Sequence, residues 1–215
     1  MLSQAHPAVL VALVRHGESY KNLRNEHGGA GEALTANGRK QVVAAARVLG
    51  PVCVDTRRVY YSRRVQVRET AETLAPMLGA DLVRCDLLHP LYLGRLDGLS
   101  NDEARREFPL AARRMERWRH GELEARDLRL PGAENLRAFW SRGVSFLASL
   151  KHKEGLHAVV GTRSILTLLI SILLGRDTGR GGGYVYVEVP CGGVVTFVLG
   201  DGAARVLGRL SNFRP

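Results

Sequence analysis

The stretch that most restricts what this chain can fold into is Val11-Ala12-Leu13-Val14-Arg15-His16-Gly17. Apolar residues in unbroken succession, stopped by a glycine, describe a strand buried on both faces. Such strands belong to parallel sheets covered by helices. Arg15 and His16 then fall at the carboxyl end of the strand, where open α/β sheets bind ligands. The pair carries its own chemistry. A guanidinium neutralises a phosphoryl group with a planar fork of donors, and a neutral imidazole can attack phosphorus.

The remaining pattern alternates. Val9–Val14 reads as a strand, Arg39–Leu49 as a helix stopped by Gly50-Pro51, Val59–Ser62 as a strand and Val67–Leu78 as a helix. Leu82–Cys85 is a candidate edge strand. Ser100-Asn101-Asp102-Glu103 is a capping box opening a helix that Pro109 interrupts. A long helix is expected from about Glu134 to Leu150, then a strand over Leu156–Val160 broken at Gly161. Ser164–Leu174 is almost wholly apolar and is expected to be a buried helix. Gly181-Gly182-Gly183 marks a loop, with an anion nest as the less favoured reading. Tyr184–Val189, Val194–Leu199 and Ala204–Leu210 read as three β segments, the last two joined at Gly200-Asp201-Gly202. This order predicts a three-layer α/β/α sandwich with a mainly parallel sheet. A single domain over residues 1–215 is expected, with a helical cap inserted near 99–130.

Composition narrows the partners. The chain has 31 basic residues, only four of them lysine, against 21 acidic ones, for a formal charge of +10. A basic surface favours anionic partners, although arginine richness also follows from genome composition. The basic residues form no single tract. Arg105-Arg106 and Arg113-Arg114-Met115-Glu116-Arg117 are interleaved with Glu103, Glu107 and Glu116, which suits a solvated helix face and argues against nucleic acid. The ten-residue run from Ile165 to Leu174 is too short to span a bilayer. The first apolar run follows no basic segment and leads straight into Arg15-His16, unlike a signal peptide. Cys53, Cys85 and Cys191 are odd in number and lack metal-ligand spacing. A cytoplasmic protein without metal or cofactor, acting on a small phosphorylated or anionic substrate, is the expectation; the oligomeric state stays open.

Arg15-His16-Gly17-Glu18-Ser19-Tyr20-Lys21-Asn22 resembles the signature of the histidine phosphatase superfamily, the phosphoglycerate-mutase-like proteins. Four further blocks are similar and run in the family's order. Leu34-Thr35-Ala36-Asn37-Gly38-Arg39-Lys40-Gln41 resembles its Leu-Thr-x-x-Gly-x-x-Gln segment. Ser62 with Glu69-Thr70-Ala71 matches the frame of Ser-Pro-x-x-Arg-Ala-x-Gln-Thr-Ala. Gly94-Arg95-Leu96-Asp97-Gly98-Leu99 resembles Gly-x-x-Glu-Gly, and Pro131-Gly132-Ala133-Glu134 resembles Pro-x-Gly-Glu. The resemblance implies that His16 is the nucleophile taking the phosphoryl group, that Arg15 binds its oxygens and that Asn22 assists.

Three positions depart from that pattern. The second arginine of the family falls on Gln66, with Arg64 and Arg68 expected to point elsewhere. The second histidine falls on Thr162 of Val160-Gly161-Thr162-Arg163, and the acidic residue on Pro90, preceded by His89. Gln66 and Thr162 keep hydrogen-bonding capacity but bring no charge. Thr162 has two readings, a phosphate contact or the cap of the following helix. Arg163 restores charge if its side chain turns inward. His89 is a possible replacement acid, weighed against an exposed loop histidine. His6, His27, His120, His152 and His157 show no partner spacing and are not expected to be catalytic. Loss of one electrostatic donor costs roughly 10²–10³ in rate. Loss of a general acid costs roughly 10²–10⁴. The implied activity is therefore hydrolysis through a phosphohistidine at His16, weakened. The alternatives are a degenerate phosphate-ligand-binding protein or a repurposed biosynthetic enzyme using the same pocket.

Overall fold

The computed structural model describes residues 9–52, 54, 57–151, 153–176, 183–200 and 204–207. In chain order the elements are β1 (Val9–Arg15), α1 (Tyr20–Leu23), α2 (Ala36–Leu49), β2 (Arg57–Tyr61), α3 (Val65–Leu78), β3 (Asp81–Arg84), α4 (Asn101–Glu107), α5 (Pro109–Arg119), α6 (Leu136–Leu150), β4 (Gly155–Gly161), α7 (Arg163–Leu173), β5 (Val194–Leu199) and β6 (Ala204–Leu207). They build one six-stranded sheet in the order β3-β2-β4-β1-β5-β6. β1, β4, β2 and β3 are mutually parallel, whereas β5 and β6 continue the sheet antiparallel.

Both central strands are apolar because both of their faces are covered. Along β1, Ala12 and Val14 pack with Val42 and Leu49 of α2 and Val67 and Leu74 of α3. Val11 and Leu13 of the same strand pack with Phe139 and Phe146 of α6 and Ile165 and Leu169 of α7. The period-two alternation thus divides one strand between two cores, giving three layers. The register sets Arg15 opposite Gly161, so β1 and β4 deliver their loops side by side at one sheet edge. The amide of His16 donates to the carbonyl of Gly161 at 3.1 Å.

Local chemistry explains the boundaries. α2 starts at Ala36, earlier than the apolar spacing predicts, because the Thr35 hydroxyl accepts the Gly38 amide at 2.9 Å. Asn135 caps α6 in the same way, taking the amides of Arg137 and Ala138. The Ser100 box opens α4, and Pro109 occupies the first turn of α5, where a missing N–H costs nothing.

One expected strand is absent. Tyr184–Val189 forms no ladder, although Tyr184, Val187 and Val189 are buried against the α6–α7 core. Its backbone groups go elsewhere: the Tyr184 carbonyl accepts the Ala125 amide, and Thr167 of α7 pairs with Val187. Alternating apolar residues report burial there and not strand pairing. Residues 208–210 of the last expected strand, Gly181, Gly182, Asp201 and Gly202 lie outside the described residues. No helix among the described residues is long and apolar enough to cross a membrane.

Candidate active site

The loop after β1 is held in place by the motif blocks. The amide of Gly17 donates to the Thr70 hydroxyl at 3.1 Å, and that hydroxyl donates to the Gln66 carbonyl, fixing the loop to α3. The amide of Glu18 donates to Gln41 Oε1 at 2.8 Å, and the Thr35 hydroxyl donates to the Glu18 carboxylate at 2.7 Å. A Cβ at Gly17 would overlap the carbonyl of Gly38, and one at Gly38 would overlap that of Glu18, so both glycines are required by close backbone approach. A fourth block works at a distance. Glu134 holds Arg142 through both carboxylate oxygens, and Arg142 donates to the carbonyls of Leu87 and His89. That contact ties the loop before Pro90 to α6.

A cavity of about 150 Å³ opens where β1, α3 and α7 meet. His16 lines it and is 3% exposed. Its Nδ1–H donates to the Gly17 carbonyl at 2.7 Å, which leaves the Nε2 lone pair as the reactive position. Burial, and then the neighbouring Arg15 charge, hold its pKa down to about 3, so the ring is neutral at physiological pH. Arg15, also 3% exposed, spends Nη1 on the Val189 carbonyl at 2.7 Å, and its Nε has no partner among the described residues. Asn22 accepts from the amide and hydroxyl of Ser19 through Oδ1, leaving its NH2 as donor.

Gln66, Thr162 and Arg163 line the same cavity with Arg15, His16 and Asn22. Gln66 Oε1 is buried without a partner. Thr162 is the N-cap residue of α7, but its hydroxyl caps no amide and lies 3.4 Å from the Ser164 hydroxyl. The first-turn amides of α7 thus remain available at the cavity edge, a position suited to anions. His89 is not among the lining residues; its Nδ1 lies 3.0 Å from the carbonyl of Pro90, which does line the wall.

Sequence reasoning missed several groups. Arg64, expected to point away, lines the cavity; as the extended residue before α3 it turns inward, while Arg68 one turn later pairs outside with Glu72. Lys21, His27 and Arg119 line it as well. Burial and the Arg64 charge lower the Lys21 pKa to about 8. Arg119 donates to His27 Nδ1 at 3.0 Å, so that nitrogen is unprotonated. Burial and then Arg119 depress the His27 pKa to about 4. Lys21 was within a quoted motif, but nothing in the spacing of α5 marks Arg119 as a site residue.

The cavity is thus lined by five cations, Arg15, Lys21, Arg64, Arg119 and Arg163. None of them forms an ion pair with a carboxylate among the described residues. The one carboxylate on the wall, Glu26, is taken by Arg24. Buried charge without a counter-ion is costly, and a bound anion relieves that cost.

The family model of the histidine phosphatase superfamily (branch 1) matches residues 11–205. Solved structures share the fold. YhfR of Bacillus stearothermophilus superposes with a TM-score of 0.74 at 22% identity, covering 92% of this chain and 94% of its own. Mycobacterial glucosyl-3-phosphoglycerate phosphatase gives 0.71 at 22% identity, covering 93% and 97%. Phosphoglycerate mutase from Bacillus anthracis str. Sterne gives 0.70 at 19% identity, covering 94% and 93%. No curated protein sequence matches the chain. With the ordered motif blocks and the paired loops of β1 and β4, the match across nearly the whole length shows that the chain belongs to the histidine phosphatase superfamily, branch 1.

Proposed function

We propose that the protein hydrolyses a small phosphorylated substrate through a phosphohistidine at His16. The observation that carries this reading is the neutral, buried imidazole, oriented by Gly17 with Nε2 free, in a cavity lined by five cations that form no ion pair among the described residues. In the first step Nε2 attacks phosphorus, the bond from phosphorus to the ester oxygen breaks, and that oxygen takes a proton from solvent water as it leaves. Water then attacks the phosphohistidine and releases inorganic phosphate. Arg15, Asn22, Gln66, Thr162 and Arg163 hold the phosphoryl oxygens, with Arg64 supplying charge that Gln66 lacks. The segment 99–130 forms a cap that contributes Asn101, Met115, Trp118 and Arg119 to the wall.

Turnover is slow in this reading. Pro90 provides no proton for the leaving oxygen, and Thr162 replaces a cationic or proton-bearing ring by a hydroxyl. The same two residues favour a second reading, binding of a phosphorylated ligand with little turnover.

The test is hydrolysis of 4-nitrophenyl phosphate, whose leaving group needs no acid, by wild type, His16→Ala and the double variant Gln66→Arg with Thr162→His. Activity is expected to disappear in His16→Ala with the fold intact. It is expected to rise about a hundredfold or more in the double variant, the range for restoring one electrostatic donor. Undiminished hydrolysis in His16→Ala overturns the phosphohistidine. A wild-type protein that binds vanadate yet hydrolyses nothing supports the second reading.

A further inference from the structure

Resting on the phosphoryl-site reading above, the cavity says more about what it accepts than a lone phosphate would require. A phosphate monoester brings about two negative charges, against five cations. The cations also come from different elements, at or beside β1, α1, α3, α5 and α7. Arg15 ends β1, whereas Arg119 ends α5 and is held by His27 Nδ1 at 3.0 Å and Asn101 Oδ1 at 3.5 Å. Arg163 opens α7 and lines the same cavity, and its charge lowers the pKa values of Arg15, His16, His27 and Arg119 alike.

Part of the wall is apolar. Trp118 and Met115, 5% and 3% exposed, come from the same helix as Arg119. Tyr186 meets the Trp118 ring edge-on, with centroids 5.1 Å apart. The Trp118 indole N–H is buried and has no partner among the described residues. A T-shaped aromatic corner with an unpaired donor suits a flat ligand body that carries an acceptor.

We propose that the substrate is a phosphate ester bearing a second anionic group on a flat apolar body. Its phosphoryl group lies at His16 and Arg15, its second anion at Arg119 with Arg163 shared between the two, and its body against Trp118, Tyr186 and Met115. A carboxylate or a second phosphate satisfies the same guanidinium forks.

The test uses phosphonates, which bind without being hydrolysed. Benzylphosphonate, 4-carboxybenzylphosphonate and 3-phosphonopropionate are titrated calorimetrically into wild type, Arg119→Met and Arg119→Lys at low salt. Thermal melts confirm that each variant is folded. The carboxylated aryl probe is expected to bind about tenfold or more tighter than benzylphosphonate, the worth of one charge-assisted contact. In Arg119→Met that ratio is expected to fall below about threefold, and in Arg119→Lys to be partly kept. Using a ratio makes the readout insensitive to a general loss of affinity. The ringless 3-phosphonopropionate is expected to bind more weakly than the carboxylated aryl probe. Equal affinity for the two benzyl probes, an unchanged ratio in Arg119→Met, or no binding of any phosphonate overturns the proposal. A retained preference in a protein that shows no His16-dependent hydrolysis would instead sink the catalytic reading and leave this one standing.

Discussion

At the residue scale, burial decides protonation. His16 and His27 are both near-fully buried beside guanidinium groups, and their pKa values lie at about 3 and about 4 against an ordinary 6.5. The unfolded chain therefore takes up protons between pH 6.5 and these values that the native protein refuses. Stability is complete above pH 6.5 and is lost as pH falls toward 4 and then 3. The slope is up to about 1.4 kcal/mol per pH unit for each histidine. Urea midpoints measured from pH 7 down to pH 4 should fall steadily, and His27→Gln should flatten part of that fall. A flat profile would show that neither ring is held neutral. His157, fully buried in β4, is paired instead with the Lys153 carbonyl and Tyr60, and burial lowers its pKa too. The sequence treated His27 and His157 alike, because the difference between them is which neighbours surround the ring.

At the scale of elements, the Leu34–Gln41 block is a clamp and not a substrate contact. Thr35, Gly38 and Gln41 all touch Gly17 or Glu18, so the first turn of α2 sets the loop that carries His16. Gly38→Ala forces a methyl against the Glu18 backbone, which cannot swing away as a side chain could. A loss of about 2 kcal/mol, in the usual range for overpacking, is expected from denaturant unfolding, together with reduced activity from a displaced His16. Stability within experimental error of wild type would mean that α2 and the loop move apart freely. The helices and strands around this clamp were legible because apolar period and caps are local properties. Tyr184–Val189 was misread because its alternation serves a core, while its hydrogen bonds are decided by Thr167 and the backbone around Ala125.

At the scale of the whole molecule, the charge is organised. Eight arginines form the ion pairs among the described residues, and the cations lining the cavity are not among them. Field lines from such a cluster focus through a low-dielectric cavity and raise the local anion concentration. Vanadate or sulfate should therefore raise the melting temperature at low ionic strength, since a ligand bound only by the native state stabilises it by mass action. The gain should shrink as salt rises. Absence of stabilisation at low salt would argue that the cations serve some role other than holding an oxyanion.

The sequence by itself determined the parallel core, the position of Arg15 and His16 at a strand end, and the family, because each is read from local patterns of strand, helix and motif block taken in their order along the chain. Tertiary structure alone decided which distant cations join them. Arg64 faces inward through the backbone angle at the start of α3, and Arg119 arrives at the end of α5, about a hundred residues from His16. Side-chain direction at those positions follows from how helices pack across the molecule, and no local spacing encodes it.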